Sequence, residues 1–359
     1  MSGRRLLRRS AAAAARGRGF AWLVDALERA SRPQPGALAV LTYHRVDDPA
    51  RSPQLYPGLI SATPSEFEEQ MGFLASHYHT LSLDELLAVR RGATRLPLRS
   101  VVVTFDDGYR DFAEEAWPIL KRHGIPVVLF VPTAYAGDPA RAFWWDRVYG
   151  ALSSVTPTQP VETPVGALRL ASTSDRLAAF RQVRGRVQTL PHPEAMAFVD
   201  DFCDALGGAP ARSPVLNWAE LRRLRSDGVA LAPHSRTHPL LDRLPQEEVR
   251  EEILGSADDL AREVGDGYRV FAYPGGGESS EVGRVLAEEG FELAFTTERG
   301  TNDVRAANWL RLRRINVGPA SGLTLIRAQL LPWWARVSRQ EGGSRTANTL
   351  EPSHTVSKR

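Results

Sequence analysis

What most constrains this chain is an alternation of short apolar runs, rich in β-branched residues, with longer amphipathic stretches. The runs are Ala37–Tyr43 (ALAVLTY), Ser100–Phe105 (SVVVTF), Pro126–Val131 (PVVLFV), Gly228–Ala232 (GVALA), Val270–Tyr273 (VFAY), Leu293–Thr296 (LAFT) and Leu312–Val317 (LRRINV). Several are apolar almost throughout, as strands covered on both faces require. Between them, Ser65–Ser76, Leu83–Arg90, Tyr109–His123, Asn217–Ser226, Gln246–Val264 and Ser279–Glu289 predict helices. In Gln246–Val264 the apolar Val249, Ile253, Ala257, Leu260 and Val264 recur at helical spacing. Thr63-Pro64, and Ser82 with Glu85, read as helix starts; Gly124 and Gly290 read as stops. Strand and helix in alternation predict an α/β fold on a parallel sheet.

The chain is 359 residues long, 43% hydrophobic and 24% charged, which is ordinary for a globular protein with one sizeable core. A net charge of only +3, with a pI near 9.2, gives no reason to expect a nucleic-acid partner. Cys203 is the only cysteine, so no intramolecular disulfide can form. Residues 1–33 are basic at the start, with Arg4, Arg5, Arg8, Arg9, Arg16 and Arg18 around the Ala11–Ala15 run. Two readings stand here: a basic segment resting on anionic lipid, or, by preference, a flexible start followed by a short packed helix. Five alanines do not make the apolar centre of a secretory signal. No stretch is apolar enough to span a bilayer, so a cytoplasmic or membrane-peripheral place is expected. The oligomeric state is open.

The main domain is expected at 34–336, interrupted at about 137–214, where the alternation fails. There an aromatic cluster (Phe143, Trp144, Trp145, Tyr149) precedes a Ser/Thr/Pro-rich loop and helical material around Asp175–Arg186. This reads as an insertion, not a separate domain. Residues 337–359 carry almost no apolar side chains and are expected to be disordered.

Four strand ends carry chemistry. Thr104-Phe105-Asp106-Asp107-Gly108 sets two carboxylates side by side, a costly arrangement unless a metal or hydrogen bonds offset their repulsion. A solvated acidic turn is the bland alternative. His234-Ser235-Arg236-Thr237-His238 places two imidazoles four residues apart after the next strand but one. Together these supply two histidines and a carboxylate with coordination positions left open, which suits catalytic zinc and also non-haem iron. Arg269–Gly276 (RVFAYPGG) runs a strand into a glycine-rich turn whose N–H groups could hold an oxyanion. Thr42-Tyr43-His44-Arg45-Val46 puts a further imidazole on the same rim.

TFDDG, HSRTH and FAYPGG, in that order, resemble the motifs of the polysaccharide deacetylases (NodB homology, carbohydrate esterase family 4) over roughly Leu41 to Val317. The YHRV start resembles the subgroup acting on poly-N-acetylglucosamine and related exopolysaccharides. The resemblance implies a deformed (β/α)7 barrel that removes N-acetyl groups from an N-acetylated glycan with one divalent transition metal, zinc above cobalt, nickel or iron. It assigns Asp106 as the catalytic base and Asp107, His234 and His238 as metal ligands. Gly275 falls where an oxyanion N–H is expected. His44 stands in for a late catalytic histidine that is missing, and Arg314 for the arginine that orients the base, whose place in the third motif is taken by Ala272. Tyr109, Tyr273, Trp144 and Trp145 are expected at the substrate, the tryptophans either as a stacking wall for sugar or as packed core. Hydrolysis of another amide or of an O-acetyl ester is the alternative reaction. A sugar-binding module with a degenerate site is the alternative class, against which the intact Asp106, Asp107, His234 and His238 argue.

Overall fold

The computed structural model describes residues 18–332 except 139, 156, 158, 208–213 and 266. The expected flexible start before Arg18 and the tail after residue 336 lie outside the described residues. Eleven strands are described: β1 (Ala37–Tyr43), β2 (Arg45–Val46), β3 (Ile60–Ala62), β4 (His79–Thr80), β5 (Ser100–Phe105), β6 (Val127–Val131), β7 (Ala230–Pro233), β8 (Val270–Ala272), β9 (Leu293–Arg299), β10 (Asn302–Asp303) and β11 (Leu312–Asn316). Seven of them pair in parallel in the order β7-β6-β5-β1-β11-β9-β8. The short β4 and β10 extend β5 and β1, and β2 pairs with β3 alone. Leu38, Val40, Val102, Val128, Phe130, Ala232, Ala272, Phe295 and Leu312 pack into one cluster. Alternate residues of all seven strands can meet in this way only inside a sheet that curls on itself. The result is a nearly closed seven-stranded barrel, left open between β7 and β8.

Helices cover the outside: α1 (Arg18–Ala30), α2 (Pro64–His77), α3 (Leu83–Arg90), α4 (Trp117–His123), α5 (Thr133–Gly137), α6 (Trp144–Ser154), α7 (Thr173–Val187), α8 (His192–Ala205), α9 (Trp218–Ser226), α10 (Gln246–Val264), α11 (Ser280–Glu288) and α12 (Leu323–Leu330). Thr63 with Glu66, Ser82 with Glu85 and Asn217 with Glu220 form capping boxes at α2, α3 and α9, each cap contributing ~1 kcal/mol. The stretch read as one helix from Tyr109 to His123 is interrupted. Trp117 N–H reaches back five residues to Phe112, a wide turn that lets Pro118, which has no N–H, enter the helix.

Where the alternation fails, three helices stand in place of the single helical stretch expected. α6, α7 and α8 bury their own apolar cluster, including Phe143, Val148, Phe180, Val183, Val199 and Phe202. Cys203 is buried in it. At the other end of the chain, α1 packs Val24 against Ala328 and Leu331, and Asp25 and Glu28 of α1 pair with Arg327. Trp22 and Leu23 remain 67% and 45% exposed on α1. Among the described residues no helix is long and apolar enough to cross a membrane.

Candidate metal centre and active site

Strand periodicity builds the site. Inside the barrel the inward series Leu38, Val40 and Thr42 leads to His44, and Val102 and Thr104 lead to Asp106. Ala230 and Ala232 lead likewise to His234, and Leu312 leads to Arg314 and Asn316. The polar rim is thus the same face as the apolar interior, one layer up, at the C-terminal edge of the parallel strands. A slip of one residue in any strand would turn its functional group outward.

Two adjacent carboxylates in a regular strand would point to opposite faces. Here Asp107 adopts φ 72° and Gly108 φ 65°, so the chain reverses hand and both Asp106 and Asp107 line one cavity. Ser235 and His238 also carry left-handed backbone, at φ 62° and 61°. Three of the four described non-glycine residues with positive φ therefore lie in the two motifs, where surrounding bonds must hold the strain. Glu252 of α10 supplies those bonds, accepting from the N–H groups of Arg236 and Thr237 at 2.8 Å each and from the Thr237 hydroxyl at 2.6 Å. Ser235 Oγ accepts from His238 N–H.

Asp107, His234 and His238 come together, one ligand atom from each lying within 4.8 Å of the others. Asp107 Oδ1 stands 3.3 Å from His238 Nε2 and 3.6 Å from His234 Nε2, and this buried oxygen has no hydrogen-bond partner among the described residues. His234 Nδ1 lies 2.7 Å from the Ala272 carbonyl, across the open β7–β8 seam. A carbonyl only accepts, so Nδ1 carries the proton and the Nε2 lone pair faces the cluster, the usual setting of a metal-bound imidazole. Burial pushes the His234 imidazole down to about 4, against the pull of Asp106. Burial also raises the Asp107 carboxyl, but His238, His44 and His234 outweigh it and hold it at about 2. Two imidazoles, that of His234 neutral, converging on the orphaned oxygen of an ionised carboxylate fit a divalent cation.

Asp106 is bound differently. Arg314 grips it with both arms, Nη1 to Oδ1 at 2.9 Å and Nη2 to Oδ2 at 2.8 Å, while Arg314 Nε is anchored on the Thr296 carbonyl. Burial opposes ionisation of Asp106, yet Arg314, His234 and His44 together leave its carboxyl below the ordinary range. His44 lines the same cavity, half-buried, its backbone N–H donating to Ser61 Oγ. Gly275 lines it too, at φ 56°, and a side chain there would strike Leu240.

The aromatic residues expected at the substrate divide. Trp144 and the ring of Tyr273 line the cavity, with the Tyr273 hydroxyl turned away to the Leu310 carbonyl. Trp145 lines it and packs edge-on against His238 at 5.1 Å. Tyr109 is a correction: it is fully buried, donating to Asp146 and accepting from Trp145 Nε1, so it braces the wall from behind. The adjoining motif end pairs with the return of the insertion, Tyr109 opposite Val215, and this draws it inward. Sequence reasoning missed Arg45, which is buried between Asp111 at 2.7 Å and Asp47 at 2.8 Å and lies over the Tyr109 ring. Its place directly after His44 was the available signal. Asn316, Tyr56, Phe180 and Arg184, all lining the cavity of about 400 Å³, gave none.

The family model described as polysaccharide deacetylase matches residues 94–294, more than half of the chain. The chain belongs to the polysaccharide deacetylase family. Among curated members, the poly-β-1,6-N-acetyl-D-glucosamine N-deacetylase of Escherichia coli (strain K12) is 30% identical over 113 residues, 31% of this chain and 16% of that protein. The enzyme of the same name from Staphylococcus aureus (strain MSSA476) is 38% identical over 79 residues, 22% of this chain and 27% of that protein. The chain therefore matches well under half the length of these relatives. Two solved structures share the barrel, at 19% identity each. The Streptococcus pyogenes deacetylase PplD in complex with acetate has a TM-score of 0.56, covering 83% of this chain and 100% of that one. IcaB from Ammonifex degensii has a TM-score of 0.54, covering 83% and 98%.

Proposed function

We propose that this chain is a metal-dependent hydrolase that removes N-acetyl groups from an N-acetylated glycan and releases acetate. The observation that carries the reading is the Asp107–His234–His238 cluster opening onto the same cavity as the Arg314-bound Asp106. The relatives named for poly-β-1,6-N-acetyl-D-glucosamine make an N-acetylglucosamine oligomer or polymer the substrate class of choice.

Asp107, His234 and His238 would hold the ion. We read it as zinc, since two imidazoles and a carboxylate leave a position open, and the same set also takes iron. The chemistry supplied on binding is Lewis-acid polarisation of the amide carbonyl and acidification of water. The rest falls to this chain. Asp106 keeps lone pairs beyond the two that Arg314 engages, and with one of them accepts a proton from the attacking water. The new C–O bond leaves negative charge on the former carbonyl oxygen, toward which the Gly275 N–H is offered. His44 donates its proton to the nitrogen as the C–N bond breaks, giving acetate and a free amino sugar. Trp144 offers a flat apolar face to the ring of the sugar.

The test is acetate release from a panel of N-acetylated glycans by metal-loaded protein, with and without chelator, using Asp106→Asn as the blank. Chelator-sensitive release from at least one glycan is expected. Release from O-acetylated substrates alone would change the reaction class, and saccharide binding without any release would leave a binding module.

A second proposal concerns place. Exposed Trp22 and Leu23 on α1, together with the six arginines up to Arg18, support contact with an anionic membrane surface.

A further inference from the structure

We infer that the cavity is built for a saccharide carrying an anionic substituent, a phosphate monoester or a carboxylate, and that Arg184 recognises it. The inference rests on the deacetylase reading above and narrows its substrate class.

α7 presents Phe180, Arg184, Val187 and Gln188 to the cavity. Their spacing of four, seven and eight residues is one helical face. At the start of that face the fully buried Phe180 stacks on Tyr56 with centroids 4.0 Å apart and lies parallel to Trp144 at 6.2 Å, so the half-buried Tyr56 and Trp144 supply the aromatic surface that a sugar ring can pack against. One turn further, Arg184 is half-buried on the same wall, and its guanidinium makes no hydrogen bond or ion pair among the described residues.

Four other arginines nearby are engaged. Arg314 holds Asp106, Arg45 holds Asp47 and Asp111, Arg147 holds Asp200, and Arg243 donates to the Gln188 carbonyl. Among the described residues Asp106 and Asp107 are the only carboxylates lining the cavity; Arg314 grips the first, and the second faces the two imidazoles. Among the described residues Arg184 therefore has no counter-ion. A guanidinium partly withdrawn from water and left unpaired is an unfavourable arrangement, which a planar oxyanion relieves by two parallel hydrogen bonds. A neutral glycan would leave it as it stands.

The experiment uses three matched N-acetylglucosamine disaccharides: one neutral, one with a phosphate monoester, one with a lactyl carboxylate. Acetate release is measured with metal-loaded protein, and equilibrium binding with the Asp106→Asn protein. At least one anionic disaccharide should bind and react about tenfold or more better than the neutral one, as a charge-assisted hydrogen bond implies. Arg184→Gln should bring that preference to within about twofold and preserve thermal stability, while Arg184→Lys should retain part of it. The better anionic arm identifies phosphate or carboxylate as the source. Equal binding and turnover of all three, or a preference that survives Arg184→Gln, overturns the inference. Acetate release without anionic preference overturns it while leaving the deacetylase reading intact. Arg184-dependent anion binding without acetate release does the reverse, and neither binding nor release sinks both.

Discussion

Replacing Arg314 by methionine tests the reasoning about the site most directly, because it keeps the unbranched apolar stem and removes the charged head with its donors. Asp106 and Arg314 are 3% and 1% exposed and are joined by two hydrogen bonds of 2.9 and 2.8 Å. Unit charges about 4 Å apart at an effective dielectric near 20 attract by about 4 kcal/mol. Removing one partner of a buried pair costs roughly 3–5 kcal/mol, because the other charge stays buried and unpaired. With a urea slope of about 3 kcal/mol/M, the upper end for small proteins, the unfolding midpoint of Arg314→Met should fall by about 1–1.7 M. Adding Asp106→Asn should recover a large part of that loss, since the double variant no longer buries a lone carboxylate. Arg314→Lys should fall between, as an ammonium cannot reproduce the two-armed grip. Turnover should be lost in all three, while metal content stays near one ion per chain. Urea titrations of the wild type, the three variants and Asp106→Asn alone, followed by circular dichroism, carry the test. A midpoint for Arg314→Met within about 0.3 M of wild type, or a double variant less stable than the single by the full cost of Asp106→Asn, would refute the claim that this pair is a strongly coupled, desolvated unit.

Three further outcomes are expected. His234→Asn, His238→Asn and Asp107→Asn should each reduce the metal content measured by elemental analysis, and asparagine is the right replacement at positions 107 and 238 because it tolerates their left-handed backbone; full occupancy in the double histidine variant would remove the site. His44→Gln should lower kcat by ~10²–10⁴-fold with metal retained, whereas a near-wild-type rate per folded molecule would leave His44 as a brace for the strand end. Trp22→Ser with Leu23→Ser should weaken sedimentation with phosphatidylserine-containing vesicles relative to neutral ones, and unchanged partitioning, or none in the wild type, would argue against membrane contact.

The local elements were legible because they depend on near neighbours. β1, β5, α3 and α10 begin and end where the apolar runs, the helical spacing and the capping residues place them. Others moved by a residue or two: β7 starts at Ala230 instead of Gly228, and β8 ends at Ala272, leaving Tyr273 beyond it. The short β2, β3, β4 and β10 were not anticipated, since two or three residues carry no period. The insertion was visible only as a failure of the alternation, and its three helices carry apolar faces that pair with one another and not with the sheet.

The sequence by itself determined the chemistry at the rim. Period-two alternation carries an apolar series straight into His44, Asp106, His234 and Arg314, so each strand commits its polar group to the side that it commits its core. Only the tertiary structure decided which of these groups meet. Arg314 lies 208 residues from Asp106, and His234 meets Asp107 across β6; neither pairing is written in any local pattern. It also decided that Tyr109 faces inward behind Trp145 and that Arg184, on a helix with no motif, stands over the same cavity. Closing the barrel brings the C-terminal edges of seven strands to one place, and a chain read residue by residue holds no record of how that circle closes.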